Sequence, residues 1–225
     1  MTNEELELLV ADCPHLYHMA MRNSWPLIQR YGLLPTNGLL ELFEVDDQQR
    51  TELTTKRRPA AVPISHPIIG GAVIRDQIPM YDHHLERCLT NGLSPKDWHK
   101  RLNERVFFWL SEERLQRLLC ASAYKKDEHI VLKLSTSRLI QDYSAQIELS
   151  PMNSGCTMPF PHPRGKATFL PIPKYPYTEW RAKRKKIDTV VELTVIGGIP
   201  NVTNYVEEVT VRKCGNILSQ VYSSS

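Results

Sequence analysis

The side chains best placed by type and spacing to do chemistry are a glutamate, a histidine and a run of mixed basic and aromatic residues. Glu192 lies in TVVELTV, where period-two alternation puts Val191, Leu193 and Val195 on one face and Val190, Glu192 and Thr194 on the other. A glutamate is a poor strand former and costly to bury unpaired, so either that second face meets water or the carboxylate lines a cleft. A carboxylate in a cleft can stabilise developing positive charge or take a proton from a nucleophile. His18 sits in HLYHMA, where a lone strand histidine reads either as a satisfied core residue or as a ligand-binding group. His15, three positions earlier, points to the opposite face of a strand, so the two cannot share a metal. His83, His84 and His99 read as solvated or interfacial, and no metal site is expected.

Two further stretches carry functional side chains. RVFFWL supplies Phe107, Phe108 and Trp109, of which only one strand face can wall a ligand, and the bland reading places them in the core. Arg75, in AVIRDQ, reads first as a surface or ion-paired arginine. Between Arg164 and Asp188, eight Lys/Arg stand against two Asp/Glu, with Tyr175, Tyr177 and Trp180 interleaved. That mixture suits backbone phosphates plus base stacking, although a charge run also serves simply as a solvated helix face. The dinucleotide-binding glycine fingerprint, the P-loop, the HExxH zinc motif, the GxSxG elbow and the EF-hand loop are all missing.

The elements that must position these residues alternate without a regular βαβ rhythm. Helices are expected over 3–12, after Asn23 or Ser24 as N-cap with Gly32 as the stop, over 81–90, over 95–103 with Ser94 as cap and Pro95 first, and from Ser111 onward. Strands are expected over 15–20, 68–77, 105–110, 129–135, 146–150, 188–197 and 206–215. Residues 38–43 fit a short helix or a strand, and the charged stretch 46–61 reads as surface. Pro151 to Pro176 holds seven of the sixteen prolines, so 151–178 reads as a long loop of the kind that binds substrate. A short basic helix follows in YTEWRAKRKK.

Composition sets the class. With 225 residues, 41% hydrophobic and 24% charged, one α+β domain over 1–225 is expected, and disorder or a low-complexity chain is excluded. No apolar run reaches the ~18–20 residues of a membrane-spanning helix. The N-terminal stretch is acidic and amphipathic, without the basic and apolar regions of a secretory signal. Five scattered cysteines, never in CxxC spacing, suit reduced thiols in a cytoplasm and argue against a disulfide framework. The net charge of +3 decides nothing about partners by itself.

Taken in order, these segments resemble the ADP-ribosyltransferase-like fold, a single domain with a split antiparallel β-sheet core and flanking helices. LYHMAMRNSWPLIQRYGLL resembles its opening strand with a histidine, then a helix and a Gly-Leu exit. RVFFWLSEERL looks like its second motif, an aromatic strand running into a helix. WRAKRKKIDTVVELTVIGGIP resembles the third, and is closest there to DarT-type DNA ADP-ribosyltransferases; the chain also resembles an uncharacterised bacterial domain family. The resemblance implies NAD as co-substrate, held by His18 with Met19 and walled by Phe107, Phe108 or Trp109. It implies Glu192 as the catalytic carboxylate, with Arg75 binding the diphosphate or supporting catalysis. Arg164, Lys166, Tyr177, Trp180, Arg181 and Arg184 would then face a DNA or RNA substrate, single-stranded by preference. An antitoxin or reversing hydrolase is the partner such toxins imply. The competing expectations are an NAD glycohydrolase or an RNA 2′-phosphotransferase on the same fold, and a silent nucleic-acid-binding module on this fold or on an unrelated α+β scaffold.

Overall fold

A computed structural model describes residues 1–224. The chain opens with helix α1, Asn3–Asp12, started by a capping box in which Thr2 and Glu5 satisfy each other's backbone N–H groups. Strand β1, His15–Met21, follows, then α2, Trp25–Tyr31, which Gly32 stops with a φ of 83°. Residues 36–42 resolve the open choice of helix or strand as helix α3, Thr36–Leu42.

The stretch 46–61 is not simply surface. It forms α4, Asp47–Thr55, capped by Asp46, and buries Leu53, Thr54 and Arg58. The strand expected over 68–77 is shorter, β3 over Gly70–Ile74, and pairs with a strand the pattern did not reveal, β2 over Val62–His66. Helices α5, Asp82–Cys88, and α6, Pro95–Asn103, come next, the second with Ser94 and Asp97 as capping box. β4, Arg105–Trp109, runs directly into α7, Glu112–Leu119, capped by Ser111. β5, His129–Ser135, then leads into α8, Thr136–Tyr143, and β6, Ile147–Ser150. The proline-rich segment stays irregular apart from 3-10 turns and the two-residue β7, Leu170–Pro171. α9, Tyr177–Lys183, β8, Glu192–Ile196, and the hairpin of β9, Val206–Lys213, and β10, Asn216–Ser223, complete the chain.

The protein is therefore mixed α+β, with nine α-helices and one large sheet among the described residues. That sheet has eight strands in the order β10-β9-β5-β1-β4-β8-β6-β7, every pair antiparallel. One face carries Leu16, Phe108, Ile130, Leu132, Leu134, Leu193 and Val195 into the main core against α1, α2 and α8. The other carries Tyr17, Met19 and Val131 against Leu115 and Leu119 of α7. β5 contributes to both faces, Ile130, Leu132 and Leu134 to the first and Val131 to the second. Truncating Leu115 or Leu132 to alanine removes several buried methyl groups and costs roughly 2–5 kcal/mol.

Two cysteines overturn the expectation of five free thiols. Cys120, at the end of α7, and Cys214, in the β9–β10 turn, form a disulfide across 94 residues with Cα atoms 4.4 Å apart. Cys13, Cys88 and Cys156 are free. Among the described residues no helix is long and apolar enough to cross a membrane.

Candidate active site

The sheet is split at its centre. β1 and β5 pair over seven consecutive positions, and β4 and β8 over five, but β1 and β4 share the single register pair Tyr17–Trp109. Beyond that pair the end of β1 and the start of β4 diverge and open a cleft of about 750 Å³. That volume lies within the ~300–1,000 Å³ typical of small-molecule and cofactor sites. Residues 17–21 of β1 and 105–109 of β4 wall the wedge, β3 with Arg75 and the 121–124 turn after α7 close its sides, and Asn153, Gly155, Cys156 and Glu192 sit at its edge.

Glu192 is the first residue of β8 and pairs with Trp109 on one side and Ser150 on the other. Directly paired residues share a face, so Tyr17, Trp109 and Glu192 form one row across three strands, in steps of roughly 4.8 Å. The carboxylate is 4% exposed, so the solvated-face reading of this strand is corrected: Glu192 lines the cleft. It accepts the backbone N–H of Ser154 at 3.2 Å to each oxygen. Burial pushes its pKa up to about 7, against the opposing pull of the Ser154 hydrogen bond and of Arg164 and Arg114. A carboxyl poised near neutrality can serve as an ion or as a proton carrier.

His18 bridges the split. Its Nδ1 lies 2.9 Å from the carbonyl oxygen of Phe107 on β4. A carbonyl can only accept, so Nδ1 carries the proton. Burial pushes the imidazole pKa down to about 4, with Arg75 acting in the same direction, so the ring is neutral at pH 7. Its Nε2 is then an acceptor on a residue that lines the cleft, suited to a hydroxyl donor.

Five arginines line the cleft; three form ion pairs and a fourth, Arg58, makes several hydrogen bonds. Arg105 pairs with Glu148 at 2.6 Å, Arg114 with Asp188 and Arg117 with Glu113. Arg58 donates to the carbonyls of Leu53 and Arg75 and to the Asn103 side chain. Arg75 differs. Its Nη1 reaches the Met19 carbonyl at 3.3 Å and its guanidinium lies 4.6 Å from the Tyr124 ring, but it forms no ion pair among the described residues. Tyr124 in turn donates to Asp76 at 2.7 Å. Arg75 thus has the fewest hydrogen-bonding ties of the cleft arginines that are not ion-paired.

The remaining expected residues divide by face and burial. Met19 lines the cleft through β1 and is buried against α7. Phe107 and Trp109 share the Glu192 face, whereas Phe108 is 1% exposed on the opposite face with its ring 5.7 Å from that of His18, and all three line the cleft. Phe107 also packs edge-on against Phe169.

Two of the basic-loop residues are corrected as surface contacts. Arg164 is 2% exposed and donates to the carbonyls of Ser154, Cys156 and His162, so it ties the turn that caps Glu192. Tyr177 is 1% exposed and belongs to the core, its hydroxyl on Asp12. Arg181 pairs with Asp12 and is half-buried. Lys166 is exposed, and Arg184 is exposed over the half-buried Trp180, 4.2 Å from its ring, while donating to the Pro151 carbonyl.

Sequence reasoning missed Tyr17, Tyr124, Asp76 and Ser154. Tyr17 could have been found, since it precedes His18 and takes the alternate face of the same strand. Ser154 leaves no trace in pattern, because its role is a backbone N–H. No group of three or more potential metal ligands occurs among the described residues.

The model of a family described as a family of unknown function (DUF7002) matches residues 14–206, which span β1 through the start of β9 and hence the whole cleft. No curated protein matches the chain.

Proposed function

The chain belongs to that family, DUF7002, and we propose that it is an NAD-dependent ADP-ribosyltransferase acting on a nucleobase of DNA or RNA. The observation that carries the reading is the split between β1 and β4, with a neutral His18 inside it and a buried carboxylate, Glu192, on its wall. The ADP-ribosyltransferase-like fold that the sequence resembles is the frame for this assignment.

The cleft chemistry fits the co-substrate. NAD supplies an activated glycosidic bond, in which nicotinamide leaves ribose C1′ with the bonding electrons. The Nε2 of His18 accepts a ribose hydroxyl and fixes the sugar's orientation, which removes part of the entropic barrier. Phe107 and Trp109 offer aromatic surface to the nicotinamide ring on the face that also carries Glu192. Arg75 provides the cation for the diphosphate, since three of the other cleft arginines are ion-paired and Arg58 makes several hydrogen bonds.

As the bond to nicotinamide breaks, positive charge grows at C1′, and an ionised Glu192 stabilises it. A base nitrogen then forms the new bond to C1′, and its displaced proton passes to Glu192 or to water. A carboxyl with its pKa near 7 can hold the negative charge in the first step and take the proton in the second.

A 2′-phosphotransferase on this fold would lean on free arginines rather than a carboxylate. Four of the five cleft arginines are engaged, which favours the transferase. The test is transfer itself: wild-type protein, NAD and single-stranded oligonucleotides, with mass spectrometry of the oligonucleotide. An added ADP-ribose that disappears in Glu192→Gln supports the reading. Unmodified DNA and RNA with the wild type oppose it.

A further inference from the structure

We infer that the Cys120–Cys214 pair is a thiol–disulfide exchange site whose state sets how firmly Tyr124, and through it Arg75, is held in the cleft. Only the NAD arm of its test rests on the proposed function. The pair joins the end of α7 to the turn between β9 and β10, and both residues are half-buried, so a small thiol in solution can reach them. The free Cys13 and Cys88 are buried.

The turn that carries Cys214 is shaped for the pairing. Lys213 faces Asn216, so Cys214 and Gly215 are the two central residues of the hairpin, with φ of 39° and 89°. A two-residue turn with both φ positive favours Asn-Gly or Asp-Gly, because a side chain with no local hydrogen bond to gain is disfavoured there. A cysteine holds the first position instead, where its Cα lies 4.4 Å from that of Cys120. Gln116, one helical turn before Cys120, donates to the Cys214 carbonyl at 3.2 Å, and a Cβ on Gly215 would collide with the Gln116 side chain. The hairpin turn thus lies on the last turn of α7 through contacts that do not depend on the bond between the sulfurs.

The residues just after Cys120 belong to the cleft. Ala121, Ser122, Ala123 and Tyr124 line it. Tyr124 donates its hydroxyl to Asp76 at 2.7 Å, and its ring lies 4.6 Å from the Arg75 guanidinium. Arg75 is otherwise tied by one hydrogen bond, to the Met19 carbonyl at 3.3 Å. Segment 121–128 contains no helix or strand and is mostly exposed. It is fastened by the disulfide before it, by Tyr124 within it, and by the Arg22–Glu128 pair and β5 after it. Opening the disulfide removes the first of these. α7 stays attached at its other end, where Glu112 pairs with Arg212 of β9 at 2.6 Å, and Leu115 and Leu119 stay packed. The loosening is therefore confined to the side of the cleft that holds Arg75.

The exchange balances with a dithiol as reductant. One thiolate attacks a protein sulfur and forms a mixed disulfide as the Cys120–Cys214 bond breaks. The second thiolate then displaces that sulfur and closes a cyclic disulfide. Each cysteine takes up a proton, and two electrons pass from the dithiol to the protein.

The test compares the oxidised protein, the same protein reduced with dithiothreitol, and Cys120→Ser, by amide hydrogen exchange and by calorimetry with NAD. Reduction and Cys120→Ser should both speed exchange over 120–128 more than over β1 and β5. Both should weaken NAD binding by roughly 5- to 150-fold, the usual span of coupling between two sites. By reciprocity, NAD should make the disulfide harder to reduce by the same factor. The reduced wild type changes no side chain, so a folding defect in Cys120→Ser cannot imitate the result. Unchanged exchange over 120–128 on reduction overturns the inference, as does equal NAD affinity in the two redox states. Faster exchange with no NAD binding in either state would uphold the exchange site and reject the transferase.

Discussion

The backbone N–H of Ser154 lies 3.2 Å from both carboxylate oxygens of Glu192, 38 positions further along the chain. One donor thus serves the whole carboxylate, in surroundings that otherwise disfavour its charge. The turn carrying that donor is in turn held by the buried guanidinium of Arg164. The proline-rich segment therefore reaches the candidate carboxylate through a backbone N–H.

Activity should rise with pH through a single ionisation. If the ionised carboxylate is the working form, kcat/KM for NAD climbs with a midpoint near the Glu192 pKa of about 7. A pH–rate profile checks this directly. A flat profile between pH 5 and 8 would contradict the assignment.

Stability should respond to pH in a way that single substitutions separate. Glu192 has its folded pKa raised to about 7 from 4.5, so the native state binds the extra proton between those values. It therefore destabilises the fold progressively as pH rises through that window, by on the order of 3 kcal/mol in full. His18 has its folded pKa lowered to about 4 from 6.5, so the unfolded state binds the extra proton and stability falls on acidification from 6.5 toward 4. The two oppose each other between about 4.5 and 6.5. Urea midpoints of Glu192→Gln should improve relative to wild type as pH increases from 5 to 8. A constant offset would show that the carboxyl is not desolvated.

Removing the bridge across the split separates its two roles. His18→Ala leaves the Phe107 carbonyl without its donor and should cost roughly 1–3 kcal/mol, read as a lower denaturant midpoint. His18→Asn places an amide N–H where Nδ1–H was, so it should recover part of that stability. It supplies no equivalent of Nε2, so KM for NAD should stay high. Full recovery of both properties by asparagine would show that the histidine only holds the strands together.

Thiol titration in denaturant without reductant should count three reactive cysteines, because Cys120 and Cys214 are joined. Closing a loop of 94 residues should stabilise the fold by roughly 2–5 kcal/mol, so Cys120→Ser should unfold at lower urea. A count of five would refute the linkage.

The strands that flank the cleft were legible, and the contacts that complete it were not. RVFFWL and TVVELTV declare themselves by alternation and aromatic or β-branched content, and β1, β4 and β8 fall within a few residues of expectation. β2, the partner of the expected β3, was missed because Pro63 and the polar Ser65 and His66 mask its alternation, and β10 because NILSQVYS keeps nearly all its residues in water. Arg164 looks like any other basic-loop residue until the carbonyls of Ser154, Cys156 and His162 are brought around it. Ser154 and the Cys120–Cys214 pair depend on closures of 38 and 94 residues, and local pattern carries no information about either. Glu192 was the exception: a carboxylate at an interior strand position had only two physical outcomes, and the structure selected the cleft.

The most direct test is nicotinamide release from NAD by wild type and Glu192→Ala, each with and without single-stranded DNA or RNA. The account predicts release that depends on one of the two polymers and is lost in the variant. Release by Glu192→Ala at the wild-type rate would contradict it.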